Sequence, residues 1–326
     1  MTPATRSGRW RHTVRGWLLS QEAVLLLAIL ALLAGVGALN PRYLAERNVE
    51  SLFLGNAYIA VAAIGMAMVI VSGNIDVSVG ALIGVLATLS GTLAVAGVPI
   101  VFAWLVPLVA GMLVMALNGF LIAYLGIPSI VVTLRMLSIL KGGLISITSG
   151  AWISQLPPGY HLAQLQPFGI PMPIYFMAFL TVVSAWWMRY TATGRALYAV
   201  GGNREAARLS GISQQRIVMT VFILHGLFTG IASVLFATQL SVIQSTVPPN
   251  LELTIITAAV VGGVSILGGS GTVIGSTLAA ILLAAIGSAL IFVSISPYWL
   301  RAVQGLLILL TVLADLARRR RHARLH

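Results

Sequence analysis

Residues 71–84 read VSGNIDVSVGALIG, a stretch that decides the fold because it sets a carboxylate, Asp76, between two long apolar runs. The chain has only seven acidic residues in 326, so an acid beside an apolar run needs either a partner or water. Apolar sequence broken by Gly73, Asn74 and Asp76 reads as two membrane helices joined by a polar turn. An aspartate ahead of VSVGALIG also places negative charge at the start of the second helix, where it can cap that helix.

Composition carries this reading to the whole chain. Hydrophobic residues make up 59% and charged residues 8%, against about 45–50% apolar and about 25% charged in soluble domains. These values predict an all-α polytopic membrane protein. The first apolar run, Ala23 to Leu39, has 17 residues, longer than the roughly 7–15 of a signal-peptide core, and reads as a first span. With about 20 apolar residues needed per crossing, Gly, Pro, Asn and charge divide the sequence into about ten transmembrane helices. They fall near 18–39, 51–71, 79–97, 99–125, 128–149, 171–188, 217–240, 253–267, 273–294 and 298–316. A basic tail at 1–17 precedes this region and another at 317–326 follows it.

Nine of the nineteen basic residues lie in those tails, and an inner loop at about 190–216 holds Arg195, Arg204, Arg208 and Arg216 against the single acid Glu205. The positive-inside rule places the loop and both termini in the cytoplasm. A shift of 195 residues lays Gly73 on Gly268, Gly80 on Gly275, Ala63 on Ala258 and Val69 on Val264. That echo fits an internal duplication, and it equally fits glycines recurring in membrane helix pairs.

Several chemistries are excluded. Cysteine is absent, which removes disulfides, thiolate metal sites and cysteine nucleophiles. The glycine-rich run GGVSILGGSGTVIG at 262–275 lacks the lysine of a phosphate loop, and the only lysine, Lys141, follows Leu140. ATP, if used, binds another subunit. Five scattered histidines make no metal site, and no paired carboxylates or nucleophile–base spacing points to an enzyme.

The remaining polar residues have competing readings. Arg135 and Lys141 fall inside the fifth span, where a cation is costly by about 2.5–3.5 kcal/mol; Asp76 is a candidate counter-charge, and snorkelling is the alternative. His225 reads as a hydrogen-bonded packing residue before a proton carrier. Trp152, Tyr160, Tyr298 and Trp299 fit an aromatic belt. The pairs Gly80/Gly84, Gly226/Gly230 and Gly271/Gly275 have the small-xxx-small spacing that brings helix backbones together. In the inner loop, Asn203 can cap a short helix, Glu205 suits its positive end, Ala206 and Ala207 form a small face, and Gly211 can end it in a left-handed turn.

Four blocks, GNIDVSVG, VTLRMLSILKGGL, TGRALYAVGGNREAARLSGIS and VVGGVSILGGSGTVIG, occur in the order found in one transporter family. The chain resembles monosaccharide-type ABC importer permeases, the class of ribose, xylose, rhamnose and autoinducer-2 permeases, over roughly residues 20–316. The resemblance implies a permease dimer, homodimeric or heterodimeric, in the bacterial inner membrane. It also implies a periplasmic sugar-binding protein and an ATPase subunit that carries ATP and Mg, with no cofactor in this chain. It makes EAARLSG, with Asn203, Glu205, Ala206, Ala207 and Gly211, the coupling element, and it adds a place on the pathway or gate to the readings of Asp76, Arg135 and Lys141. The rival reading, an ion-coupled secondary transporter, needs a coupling acid, and only Asp76 is placed to supply one.

Overall fold

A computed structural model describes residues 20–323; the expected basic tail at 1–17 lies outside them. Twelve α-helices follow one another among the described residues: α1 (Gln21–Leu39), α2 (Glu46–Val71), α3 (Val79–Val95), α4 (Ile100–Ala123), α5 (Ser129–Thr148), α6 (Met172–Tyr190), α7 (Ala192–Gly202), α8 (Arg204–Leu209), α9 (Gln214–Thr238), α10 (Leu251–Val261), α11 (Val273–Phe292) and α12 (Trp299–Ala323). Short 3₁₀ turns and one two-stranded ribbon, Trp152–Ile153 against Ile243–Gln244, complete the fold.

Six of the helices, α1, α2, α4, α5, α9 and α11, are long and apolar enough to cross a membrane; α3, α10 and Trp299–Leu313 of α12 are apolar but shorter. The chain is therefore an all-α polytopic membrane protein. Most helix starts carry a local signal. Ser20, Thr191, Asn203, Ser213 and Thr272 each accept a hydrogen bond from a backbone N–H of the first turn, and Pro99, Pro128 and Pro171 stand at the entries to α4, α5 and α6.

Helix α2 is the axle of the bundle. Its apolar window is 83% buried against 22% for α4 and α5, so α2 is walled by protein while α4 and α5 face outward. Val101, Leu105, Val109, Leu113, Leu117 and Phe120 form an exposed stripe along α4 that a lipid environment accommodates and water does not. The tightest seam joins α4 to α9. A Cβ on Gly226 would lie 2.7 Å from Met112 Cα, and one on Gly230 would lie 2.6 Å from Leu108 Cα, so this small-residue pair brings backbones together as its spacing implied.

Two expectations need correction. The eighth span, expected at 253–267, stops at Val261, because Gly262 and Gly263 leave the helix and Gly263 turns left-handed at φ +92°. Gly271, with φ +134°, lies in the turn before α11 and not on a helix face, while Gly275 meets the Gly262 backbone. Helix α12 continues into the basic stretch from 317 as far as Ala323.

Tyr160 is the third correction. It is fully buried instead of belonging to an aromatic belt. Pro107 sits inside α4 and has no N–H to give Ala103, four residues earlier. The Ala103 carbonyl instead accepts from Ser90 Oγ at 2.8 Å, and Ser90 Oγ accepts from the Tyr160 hydroxyl at 2.8 Å. Burial pushes the Tyr160 phenol up to about 12 against the smaller opposing effect of the Ser90 contact, so it stays a donor throughout the physiological range. Ser90→Ala should therefore destabilise the detergent-purified chain by about 1–3 kcal/mol. Adding Pro107→Ala should recover part of that loss in a thermal unfolding assay, because the new N–H can bond Ala103; an additive or larger loss in the double variant would refute the chain.

Candidate functional site

Between α2, which ends at Val71, and α3, which begins at Val79, the helical backbone is broken. Ser72 and Gly73 still bond back to Met68 O and Ile70 O, and Ser78 O accepts from Leu82 N, whereas residues 75–77 lie between the two ladders. The N–H groups left open are met by side chains of α5: Ser129 Oγ accepts from Ile75 N at 3.3 Å and Thr133 Oγ1 from Val77 N at 3.2 Å. These acceptors sit four residues apart, on one face of α5. Asp76 completes the set. Its Oδ1 accepts from Ser78 N at 2.8 Å and from Ser78 Oγ at 2.6 Å, which fixes the entry to α3.

The other carboxylate oxygen settles which partner Asp76 has. Oδ2 lies 3.0 Å from His225 Nε2 of α9, and both side chains are completely buried. We assign the proton to Nε2, which donates to the carboxylate. The opposite ring nitrogen, Nδ1, has no partner among the described residues. Gly65 of α2 makes room for the ring, since a Cβ there would stand 2.5 Å from Nδ1. Arg135 and Lys141 are exposed on α5, and the candidate pairing of Asp76 with a cation of α5 is replaced by the buried histidine. His225 is a hydrogen-bonded packing residue, the first of its two readings. Asn118 of α4 adds a donor to Ser78 Oγ at 3.3 Å.

A second break, residues 262–272, separates α10 from α11. It folds on itself through Ser265 N to Ser270 O at 3.1 Å, and it bonds the first break directly through Gly269 N to Val71 O at 2.9 Å. Glycines permit this contact. Gly73 and Gly268 are both left-handed, at φ +78° and +83°, and a Cβ on Gly268 would lie 3.0 Å from Gly73 Cα. On the first pair of small residues, a Cβ on Gly80 would lie 2.8 Å from Glu252 N and one on Gly84 3.1 Å from Val247 Cα, so α3 is pressed against the start of α10 and the loop before it.

The inner loop closes over this junction. Gly201, at the end of α7, is wedged between Val71 O and Gly269 N, and Gly202 packs on Gly269. Tyr198 donates to Gly271 O at 2.9 Å, with its phenol pushed up by burial, and Arg204 Nη2 donates to Gly73 O at 3.1 Å. Helix α8 then runs as its sequence implied: Asn203 Oδ1 caps Ala206 N at 3.0 Å, and Gly211 follows its end at φ +80°. Glu205 pairs with Arg208 at 2.7 Å on the exposed surface, a contact worth about 0–1 kcal/mol. Ala206 faces outward, whereas Ala207 is buried in the chain's own core and offers no surface to a partner.

Sequence reasoning missed His225 as the partner of Asp76 and missed Gly201, Gly202 and Gly269 as the hinge of the loop. The paired glycines at 201–202 and 268–269 were the available signal. No group of three or more metal-ligating side chains is present among the described residues.

A polytopic helical bundle with two helix breaks tied to an exposed helix suits a membrane permease. The chain belongs to the family described as branched-chain amino acid transport system / permease component, whose pattern matches residues 48–312. It is similar to the autoinducer 2 import system permease protein LsrC of Salmonella typhi, 37% identical over 91% of this chain and 86% of the relative. The LsrC proteins of an Enterobacter strain and of Yersinia pseudotuberculosis are 35% identical over 91% of this chain and 87% and 85% of theirs. No solved structure matches it. The resemblance to monosaccharide-type ABC importer permeases stands, and the ion-coupled alternative gives way to it.

Breaking the buried pair is the sharpest test of the site. Asp76→Leu should lower membrane abundance by the equivalent of about 3–5 kcal/mol, because it strands His225 and releases Ser78 at the start of α3. Asp76→Asn, which keeps acceptor oxygen for Ser78, should leave abundance near wild type and slow uptake. In a double-mutant cycle with His225→Leu, the combined loss should be smaller than the sum of the single losses; strict additivity would show the two residues to be independent.

Proposed function

We propose that this chain forms the membrane pathway of an ATP-driven importer for a monosaccharide or related small polyol-like solute. It works as one subunit of a homodimeric or heterodimeric permease in the bacterial inner membrane. A periplasmic binding protein delivers the solute, and a separate ATPase subunit binds ATP and Mg. The autoinducer-2 importers named for its relatives supply the nearest cargo chemistry.

The observation that carries this reading is the mounting of α8. The helix is exposed, capped at both ends and anchored through Arg204, Gly201 and Gly202 to both helix breaks at once. A partner that displaces α8 therefore acts on both helix breaks. Beside it lies a groove of about 610 Å³, lined by Gly73, Pro128, Arg204, Arg208 and Gln215, of a size that receives a partner's side chains. In this reading, Asn203, Glu205, Ala206 and Gly211 present the coupling helix, and Ala207 anchors it. Asp76 holds the gate-side turn, while Arg135 and Lys141 meet lipid or a second subunit.

Ten spans complete the reading. The six long helices are joined by the 19-residue α6 and by α3, α10 and Trp299–Leu313 of α12, whose shorter apolar rods gain reach from the segments beside them. An even number of spans puts both termini in the cytoplasm with the arginines of the inner loop. The matched left-handed glycines at 73 and 268, each following a buried helix and preceding another, support duplicated halves.

The chain alone should hydrolyse no ATP; turnover from a single-subunit preparation would overturn that division of labour. Gly211→Val tests the coupling element. A Cβ there meets nothing within 4 Å, so the only cost is a β-branched residue at φ +80°, about 1–2 kcal/mol. Membrane abundance should stay normal while co-purification with the ATPase and uptake both collapse. A Gly211→Val chain that keeps its partner and imports at the wild-type rate would remove α8 from the coupling role.

A further inference from the structure

At the end of the bundle remote from α8 lies a cavity of about 480 Å³ between α2, α10, α11 and α12. Its volume falls within the roughly 300–1,000 Å³ range of small-molecule sites. Two polar contacts brace its walls. Ser288 of α11 donates to Asn48 Oδ1 of α2 at 3.1 Å, and Gln304 Nε2 of α12 donates to Thr254 Oγ1 of α10 at 3.2 Å.

Three groups on the lining have unused capacity. Gln304, 7% exposed, accepts nothing at Oε1; Tyr58, 9% exposed, has no partner for its hydroxyl; and Asn56 donates to Leu52 O but accepts nothing at Oδ1, all among the described residues. These amide and phenol groups border the cavity with hydrogen-bonding capacity to spare. A solute rich in hydroxyls matches them, since each hydroxyl both donates and accepts.

The second observation is what the lining lacks. No Asp, Glu, Lys, Arg or His borders the cavity. A zwitterionic amino acid placed there would hold an ammonium and a carboxylate without counter-charge, at a cost of several kcal/mol. A neutral polyol incurs none of that penalty.

Resting on the function proposed above, we propose that this cavity is a cargo subsite of the permease, selective for neutral hydroxylated solutes over amino acids, with Asn56, Tyr58 and Gln304 as its contacting residues. The family's description names branched-chain amino acids, and the uncharged lining assigns this chain to the other cargo class.

The absence of cysteine makes the test direct. Asn56→Cys and Ser288→Cys, with Leu309→Cys on the exposed outer side of α12 as control, are made in the full chain, assembled with its ATPase and binding protein in membrane vesicles. Labelling by a water-soluble maleimide is followed with autoinducer-2, ribose or leucine added, and uptake of the same three solutes is measured for the unmodified importer. Labelling at 56 and 288, slowed at least threefold by a neutral polyol and unchanged by leucine, is expected. Gln304→Leu should reduce uptake about fivefold or more at unchanged abundance, with Gln304→Asn recovering part of it. Uptake of a polyol without protection at either cysteine, or no labelling there, overturns the subsite while leaving the importer reading intact. Protection by leucine alone overturns the cargo class. Failure of the unmodified importer to move autoinducer-2 or ribose overturns the importer reading, and the cargo assignment falls with it.

Discussion

A peptide group buried without a hydrogen bond is the constraint on which the rest of this structure depends. Helices satisfy their backbones internally, so the turns between them, where they are enclosed by protein, must draw partners from elsewhere. In the first break those partners are Ser129, Thr133 and Asp76. In the second they come from its own turn and from Val71 of the first. The two breaks therefore are not independent defects, since each contributes to closing the other. The same logic governs Pro107, whose missing N–H is answered at a distance by Ser90 and Tyr160.

Much of this was legible in the sequence because it is local. Hydropathy and glycine, proline and charge punctuation gave the membrane class and most helix ends, and the Asn203 and Gly211 signals gave α8 its two termini. What stayed hidden is what depends on distance across the bundle. Nothing in the linear order distinguishes His225 from Arg135 as the partner of Asp76; only the rotation of α5 and α9 about their axes does, turning one inward and the other outward. Tyr160 looked like an interfacial aromatic because the carbonyl it helps to satisfy, that of Ala103, lies in another helix and is left open by a proline four residues further on. The early end of α10 at Val261 was concealed by Ile266 and Leu267, which continue the hydropathy of a helix after its backbone has left it.

The glycines at 73, 201, 202, 268 and 269 convert this packing into a mechanical connection. Side chains yield when pushed, by changing rotamer; backbone in direct contact with backbone has little such slack. The wedge of Gly201 between Val71 and Gly269 is accordingly a stiff joint, and the surface helix beyond it can act as a lever on the membrane core. The braced walls of the cavity at the opposite end, Asn48 with Ser288 and Thr254 with Gln304, join the same helices that run down to this joint. Opening at one end and displacement at the other share α2, α10 and α11.

The 149-residue separation of Asp76 and His225 also bears on how the chain is made. At about 5–20 residues per second, translation takes roughly 7–30 s to reach α9 after the aspartate has left the ribosome. During that interval the carboxylate has no imidazole to bond, and its hydration holds the turn between α2 and α3 at an aqueous boundary. Helix α2, destined for the centre, meanwhile has lipid or insertion machinery for neighbours. The arrival of α9 supplies both the partner and the principal wall, so the centre of this bundle is built late, around a helix inserted early.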